Sequence, residues 1–176
     1  MEFSEKHEIE TKVLDVNKEE IIRTAKGFGV SGFTHKKYIV DWFWTHGTEF
    51  DKEPWYLRIR TDVLNNTSSI MWKGKSFKNT HSRTHKEIVV QTDNYENTFA
   101  LLQGIELECY AHQEKERVSW KYQNCSFDLD TYPGMPPYLE IEGSSEEKIT
   151  EMLSLFDAAY NQIVAKKRVS TDNVRI

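Results

Sequence analysis

The chain has 176 residues, 38% hydrophobic and 29% charged, which are the proportions of a globular protein with one sizeable core, so a single domain over 1–176 is expected. Against 23 Lys and Arg stand 28 Asp and Glu, a formal net charge of −5 that gives no reason to expect a nucleic acid duplex or an anionic membrane as partner. No apolar run is long enough to span a bilayer, the opening MEFSEKHEIE has no hydrophobic signal core, and Cys109 and Cys125 fit neither a disulfide framework nor a zinc spacing, so a reducing cytoplasm is the expected compartment.

The first element read along the chain is a strand through HEIETKV, in which Glu8, Glu10 and Lys12 alternate with Ile9, Thr11 and Val13. A short helix follows in VNKEEIIRTAKGFG, with Asn17 as its cap, Glu20 in a box-like position and Gly27 or Gly29 at its end. Strands are predicted over 34–44, 54–62, 68–76 and 82–91 from their β-branched and aromatic content. A second short helix in NYENTFALLQG closes at Gly104, and strand patterns resume in 104–111, 115–130 and 138–143, with a turn near Gln123-Asn124. Ser144 with Glu147 reads as a capping box for an amphipathic helix striped by Ile149, Met152, Leu153, Phe156, Ala159, Tyr160 and Ile163. With no linker or repeat, this is a largely antiparallel sheet with helices packed outside it, an α+β pattern.

Several strands place charge on one face at regular alternation: Glu8/Glu10/Lys12, Arg58/Arg60, Lys73/Lys75, Arg83/His85/Glu87, Lys115/Arg117 and Glu140/Glu142. One such face is ordinarily solvated, but Arg58 beside Arg60 needs an anion or a carboxylate nearby, and the arrangement recurs. If the sheet curls with these faces inward, they line a cavity holding basic side chains and carboxylates together. Paired carboxylates are hard-cation ligands suited to Mg²⁺ or Mn²⁺, and Arg and Lys grip phosphate oxygens, so a polyphosphate with a divalent ion satisfies both sets.

The opening Glu8-Ile9-Glu10-Thr11-Lys12 resembles the E-x-E-x-K signature of the CYTH superfamily, the triphosphate tunnel metalloenzymes. Asp41-Trp42-Phe43 resembles its D-x-Y/F motif, Leu57-Arg58-Ile59-Arg60 its L-R-x-R strand, and Trp72-Lys73-Gly74 its lysine strand. Arg83 to Glu87 falls at its R-x-E-x-E segment, Lys115-Glu116-Arg117 at its K-x-R position, and Asp130, Pro133-Gly134 and Glu140-Ile141-Glu142 at its closing motif. The resemblance implies a closed eight-stranded antiparallel β-barrel, a triphosphate tunnel with helices packed outside. It implies Glu8, Glu10, Glu140 and Glu142 as metal ligands, with Glu87 and Asp130 contributing, and Lys12, Arg58, Arg60, Lys73, Arg83, Lys115 and Arg117 on the triphosphate, with Lys75 and His85 on the same charged faces. Catalysis would rest on Glu8, Glu10, Lys12, Arg58, Arg60, Lys73, Glu140 and Glu142. Two positions depart from the pattern: His85 stands where a first glutamate is common, and Thr45 where an aspartate often follows the aromatic pair.

The activity implied is divalent-metal-dependent hydrolysis of a small-molecule triphosphate, whether inorganic, nucleoside or thiamine triphosphate. The same cage serves an adenylate cyclase of the class IV type, in which the ribose 3′-hydroxyl attacks the α-phosphorus, with Trp42, Trp44 or Trp120 as candidates for an adenosine pocket. A non-catalytic nucleotide- or polyphosphate-binding module is a third reading, favoured if His85 spoils the metal site. Cyclase-like relatives form dimers, so a homodimer is implied as well.

Overall fold

The computed structural model describes residues 6–45, 55–74, 77–78 and 82–157. Nine strands lie in one sheet: β1 (Lys6–Val13), β2 (Thr34–Thr45), β3 (Tyr56–Asp62), β4 (Thr67–Lys73), β5 (Phe77–Lys78), β6 (Arg83–Thr92), β7 (Leu107–Tyr122), β8 (Cys125–Thr131) and β9 (Tyr138–Gly143). Helix α1 (Lys18–Gly27) follows β1, α2 (Tyr95–Gly104) follows β6, and a third helix, α3, covers 146–157.

The strand order is β1-β9-β8-β7-β2-β3-β4-β6-β5, and a further pairing of β1 with β6 turns the order back on itself. Every pairing is antiparallel. The sheet is therefore mostly closed and tunnel-like, with nine strands where eight were expected. The extra strand is the two-residue β5, which pairs with β6 at Thr84 and Arg83 just beyond the stretch that β4 pairs with. Gly74 follows the end of β4, so one side of β6 is covered by two short pieces in succession.

Local chemistry explains most boundaries. The Asn17 side chain accepts from the Glu20 backbone N–H at 3.0 Å and starts α1, and Asn94 does the same for α2 through the Asn97 N–H at 2.7 Å. Gln123 and Asn124 both take positive φ, 47° and 62°, the paired left-handed turn whose twist suits a tight antiparallel hairpin between β7 and β8. The α3 cap differs from the expected one: Ser145, not Ser144, accepts from the Lys148 N–H at 3.2 Å, because the first helical turn begins one residue later. The stretches 104–111 and 115–122 also differ, running as the single strand β7. No Gly, Pro or Asn breaks Ala111–Lys115, and the irregularity is a bulge in which Ala111 and Cys109 pair with Trp42 and Phe43 while Tyr110 is extra.

The hydrophobic core lies outside the tunnel. One cluster joins Val118 and Trp120 of β7, Phe127 and Leu129 of β8, and Leu139 and Ile141 of β9 to Ile21 and Ala25 of α1 and to Ile149, Met152 and Phe156 of α3. A smaller one places Leu102 of α2 against Phe43 and Ile59. Each large side chain buried here contributes about 1.5–3 kcal/mol. Because side chains alternate along a strand, anchoring residues 127, 129, 139 and 141 outward against helices turns 128, 130, 140 and 142 inward. Of the α3 stripe, Ile149, Met152, Leu153 and Phe156 pack as expected, while Ala159, Tyr160 and Ile163 lie outside the described residues, as does the tail.

Candidate active site

The inward faces meet in a cavity of about 260 Å³. Its basic lining is Lys12, Arg58, Arg60, Lys73, Lys115 and Arg117. Its acidic lining is Glu10, Glu87, Asp128, Glu140 and Glu142. The strand ladder sets this arrangement: Glu10 stands opposite Glu142 and Lys12 opposite Glu140 across β1 and β9, while Lys73 stands opposite Glu87 across β4 and β6.

On one wall the cations are already held by carboxylates. Asp130, fully buried, accepts from Lys115 Nζ at 2.8 Å, from Arg117 Nε and one terminal nitrogen at 2.6 Å each, and from the Tyr138 hydroxyl at 2.9 Å. Arg117 also pairs with Asp128, whose other oxygen accepts from Ser119 at 2.6 Å. Burial works against charge on all three buried groups. The Arg117 and Lys115 cations nevertheless hold the Asp130 carboxyl well below the usual carboxylate range. Arg117 is raised, since the hydrogen bond and charge of Asp130, with Asp128 and Glu140, outweigh its desolvation. Lys115 is pushed down to about 7, first by burial and then by the charge of Arg117, against the pull of Asp130.

The opposite wall is different. Among the described residues no carboxylate pairs with Arg58 or Arg60, and the Arg58 Nε–H is buried without a hydrogen-bond partner. Aromatic faces hold these two guanidiniums instead: Arg58 lies 5.2 Å from the Trp42 ring centroid and 5.9 Å from that of Tyr56, and Arg60 lies 4.9 Å from that of Tyr38. Burial, with the neighbouring Arg58 and Arg117 charges, lowers the Arg60 pKa. Such a pair of desolvated guanidiniums has the charge and donors to take an anion.

Between the walls, Lys73 bridges Glu87 at 3.0 Å and Glu10 at 3.4 Å, with all three side chains buried, and Lys12 reaches Glu140 at 3.3 Å. Of the remaining residues singled out in the sequence, Arg83 is exposed and does not line the cavity. Lys75 lies outside the described residues, and Glu8 and His85 are placed as opposite partners in the β1–β6 ladder. Trp42 lines the cavity, Trp120 belongs to the outer core, and Trp44 stands at the surface against Tyr110. The cavity also takes in Asp128, Tyr56, Tyr132 and Tyr138, to which the sequence assigns no role in the site. Asp128 and Tyr138 carried a usable signal, each standing two residues before a selected carboxylate on the same strand face.

Asp41, one position along from Trp42, faces the other way. Its carboxylate is buried under α2, accepting from the Tyr95 hydroxyl at 2.9 Å and lying 2.7 Å from His112 Nδ1.

No group of three or more His, Cys, Asp or Glu side chains forms a ready-made metal cage among the described residues. The donors present still suit a hard divalent cation, because Mg²⁺ is usually held by one or two carboxylates plus substrate phosphates, with waters completing the shell. Glu10 and Glu142, neighbours across the ladder on a phosphate-sized cavity, supply such a pair.

An antiparallel tunnel with charged walls and an external core defines a protein of the triphosphate tunnel metalloenzyme class. The chain matches the CYTH domain over residues 6–170 and belongs to that family. No curated protein matches the sequence. Among solved structures, the PH1012 protein of Pyrococcus horikoshii OT3 is similar at 23% identity and a TM-score of 0.68, over 86% of this chain and 87% of that one. A conserved hypothetical protein of Pyrococcus furiosus reaches a TM-score of 0.71 at 18% identity, over 85% and 90% of the two chains. HpAC1 from Hippeastrum, an adenylyl cyclase candidate with a dominant triphosphatase activity, gives 0.68 at 16% identity over 88% of each.

Proposed function

We propose that the protein hydrolyses a small-molecule triphosphate in its tunnel with Mg²⁺ or Mn²⁺. The observation that carries this reading is the pair Arg58 and Arg60, which face a phosphate-sized cavity without a carboxylate partner among the described residues. The phosphates lie along these two arginines and bring in Lys12, Lys73, Lys115 and Arg117 from the other strands. Those side chains stabilise charge on the equatorial and leaving oxygens as the terminal anhydride bond breaks. Glu10, Glu140 and Glu142 would hold the divalent ion, with Glu8 and Glu87 as further carboxylates; Asp130, expected among them, is instead taken up by Lys115, Arg117 and Tyr138 and does not line the cavity. When bound, that ion neutralises phosphate charge and lowers the pKa of a coordinated water. Water attack at the terminal phosphorus then gives orthophosphate and a diphosphate, and no side-chain nucleophile is required. The triphosphatase activity of the Hippeastrum relative favours this reading over cyclisation. The chain works as one domain in the cytoplasm.

The test incubates the protein with ATP, tripolyphosphate or thiamine triphosphate and Mg²⁺ or Mn²⁺, and separates the products. Orthophosphate release supports hydrolysis, cyclic AMP with pyrophosphate indicates the cyclase, and binding without turnover indicates a non-catalytic module. Replacing Glu8 and Glu10 by Gln is expected to abolish metal-dependent turnover while the protein still folds; full activity in that variant would overturn the site.

A further inference from the structure

Among the described cations that line the cavity, Lys12 is the most exposed. Its ion pair is with Glu140, at 3.3 Å. Glu140 is also one of the carboxylates proposed for the divalent ion, so binding of the ion takes from Lys12 the partner that fixes it. A long ammonium side chain released in this way regains its rotamer freedom and must be ordered again on the phosphate. A second contact limits that loss: Lys12 Nζ stands 5.1 Å from the centroid of the Tyr138 ring.

The strand ladder sets this contact. Lys12 stands opposite Glu140 across β1 and β9, and Tyr138 lies two residues along β9, a diagonal neighbour on the same inward face. The ring is held in place from two directions. Its hydroxyl donates to Asp130 at 2.9 Å, directly across the ladder of β8 and β9. Its plane stacks with that of Tyr132, the centroids 6.1 Å apart and the planes 17° from parallel. Burial, then the Asp130 charge, raises the Tyr138 hydroxyl pKa, so the group stays a donor and the ring stays neutral. Tyr132 in turn lies 5.6 Å from Lys115 Nζ, so each of the two stacked rings carries a cation. A ring anchored in this way presents a fixed, electron-rich face to the ammonium.

We propose that Tyr138 is a positioning residue: its ring keeps the Lys12 ammonium over the cavity, ordered for a phosphate oxygen, once Glu140 is engaged by the divalent ion. The inference rests on the tunnel's being the triphosphate site and on Glu140 as a carboxylate of the ion. Without the ion, Glu140 holds Lys12 whatever stands at position 138. With it, the ring is the anchor that remains among the described residues. Tyr138 therefore matters to binding when the ion is present, which separates it from a residue that merely supports the wall.

Calorimetry with tripolyphosphate reads the effect, once with Ca²⁺ to hold back turnover and once with no divalent ion. Tyr138→Leu removes the ring and is expected to weaken binding about three- to thirtyfold with Ca²⁺, the range of a cation–π contact. Without the ion the same variant should stay within twofold of wild type. Tyr138→Phe keeps the face, with Tyr132 still stacked on it, and should stay within twofold in both conditions. In the Lys12→Ala background, adding Tyr138→Leu should change nothing further. Unchanged binding in Tyr138→Leu overturns the proposal. So does a loss that is equal with and without Ca²⁺, or one that persists in full beside Lys12→Ala, since either makes Tyr138 a purely structural residue. If Tyr138→Leu does not fold, pentafluorophenylalanine in place of Tyr138 keeps the shape of the ring and reverses the charge of its face. It should lose at least threefold with Ca²⁺, and affinity equal to that of Tyr138→Phe would sink the idea. Wild-type protein that does not bind tripolyphosphate at all removes the tunnel reading, and the role of Tyr138 goes with it.

Discussion

The two walls of the tunnel hold their cations by different means. On β7, β8 and β9, Lys115 and Arg117 are fixed by Asp130 and Asp128, so their charge is balanced before any ligand arrives. On β3, Arg58 and Arg60 rest on the rings of Trp42, Tyr56 and Tyr38. A carboxylate partner fixes geometry but competes with the substrate for the same donors. An aromatic face positions the guanidinium and leaves its N–H groups available to an anion. The first wall is thus weighted toward folding and the second toward binding, and substitutions should separate the two.

The largest effect is expected from Asp130→Asn. The change preserves shape but leaves Lys115 and Arg117 buried beside each other with no full counter-charge on that oxygen pair. Breaking a buried pair in this way costs about 3–5 kcal/mol. Urea unfolding followed by tryptophan fluorescence measures it, and an unchanged midpoint would show that the wall does not depend on this carboxylate. The same residue sets an acid limit. Its folded pKa is depressed, so its contribution is fully present above the unfolded carboxyl value near 4 and is lost as pH falls through the folded value. Wild-type stability is therefore expected to fall more steeply than that of Asp130→Asn below about pH 4, and parallel curves would refute the assignment.

Next in size is the loss of an arginine that has no carboxylate partner among the described residues. Hydrogen bonds to charged groups are worth about 1.5–3 kcal/mol each, so Arg58→Ala or Arg60→Ala should weaken tripolyphosphate binding by roughly 10- to 150-fold. Folding stability should hold or rise, because a desolvated, like-charged neighbour has been removed. Equal losses of binding and stability would erase the contrast between the walls.

Much of this was legible in the sequence because a closed sheet with an external core has a simple signature. Strands anchored outward by Phe127, Leu129, Leu139 and Ile141 must turn their alternate residues inward, and alternation is visible without coordinates. The charged faces Arg58/Arg60, Lys115/Arg117 and Glu140/Glu142 were found for that reason, and all six line the tunnel. What alternation could not supply was partnership. Nothing in the spacing says that Asp130 spends its oxygens on two cations and a tyrosine while Arg58 has no carboxylate partner among the described residues, because those contacts depend on side-chain geometry across β7, β8 and β9, which alternation does not encode. The ninth strand was hidden by its length, two residues being too few for any periodicity, and the merged β7 by a bulge, which leaves no compositional mark. Arg83 was drawn in by its place in a charged run, yet it stands at the surface, since the end of a strand need not share the burial of its middle.

The smallest effect tests whether the outer surface is independent of the tunnel. Asp41 and Trp42 are adjacent in β2 but point to opposite sides, so the buried Asp41 carboxylate meets α2 while Trp42 meets Arg58. Tyr95→Phe removes one hydrogen bond to Asp41 and leaves the His112 contact in place. A charge-assisted bond on a partly buried hydroxyl sets the cost at about 1–2 kcal/mol of folding stability. Tripolyphosphate affinity should stay within twofold of wild type, because Tyr95 reaches only the outward residue and the inward face of β2 is fixed by its ladders to β3 and β7. A drop in affinity comparable to that of Arg58→Ala would mean that α2 sets the tilt of β2, and with it the angle of the Trp42 ring on the arginine. The outer core would then tune the site, and the division of labour between walls would extend through the strand to the helix behind it.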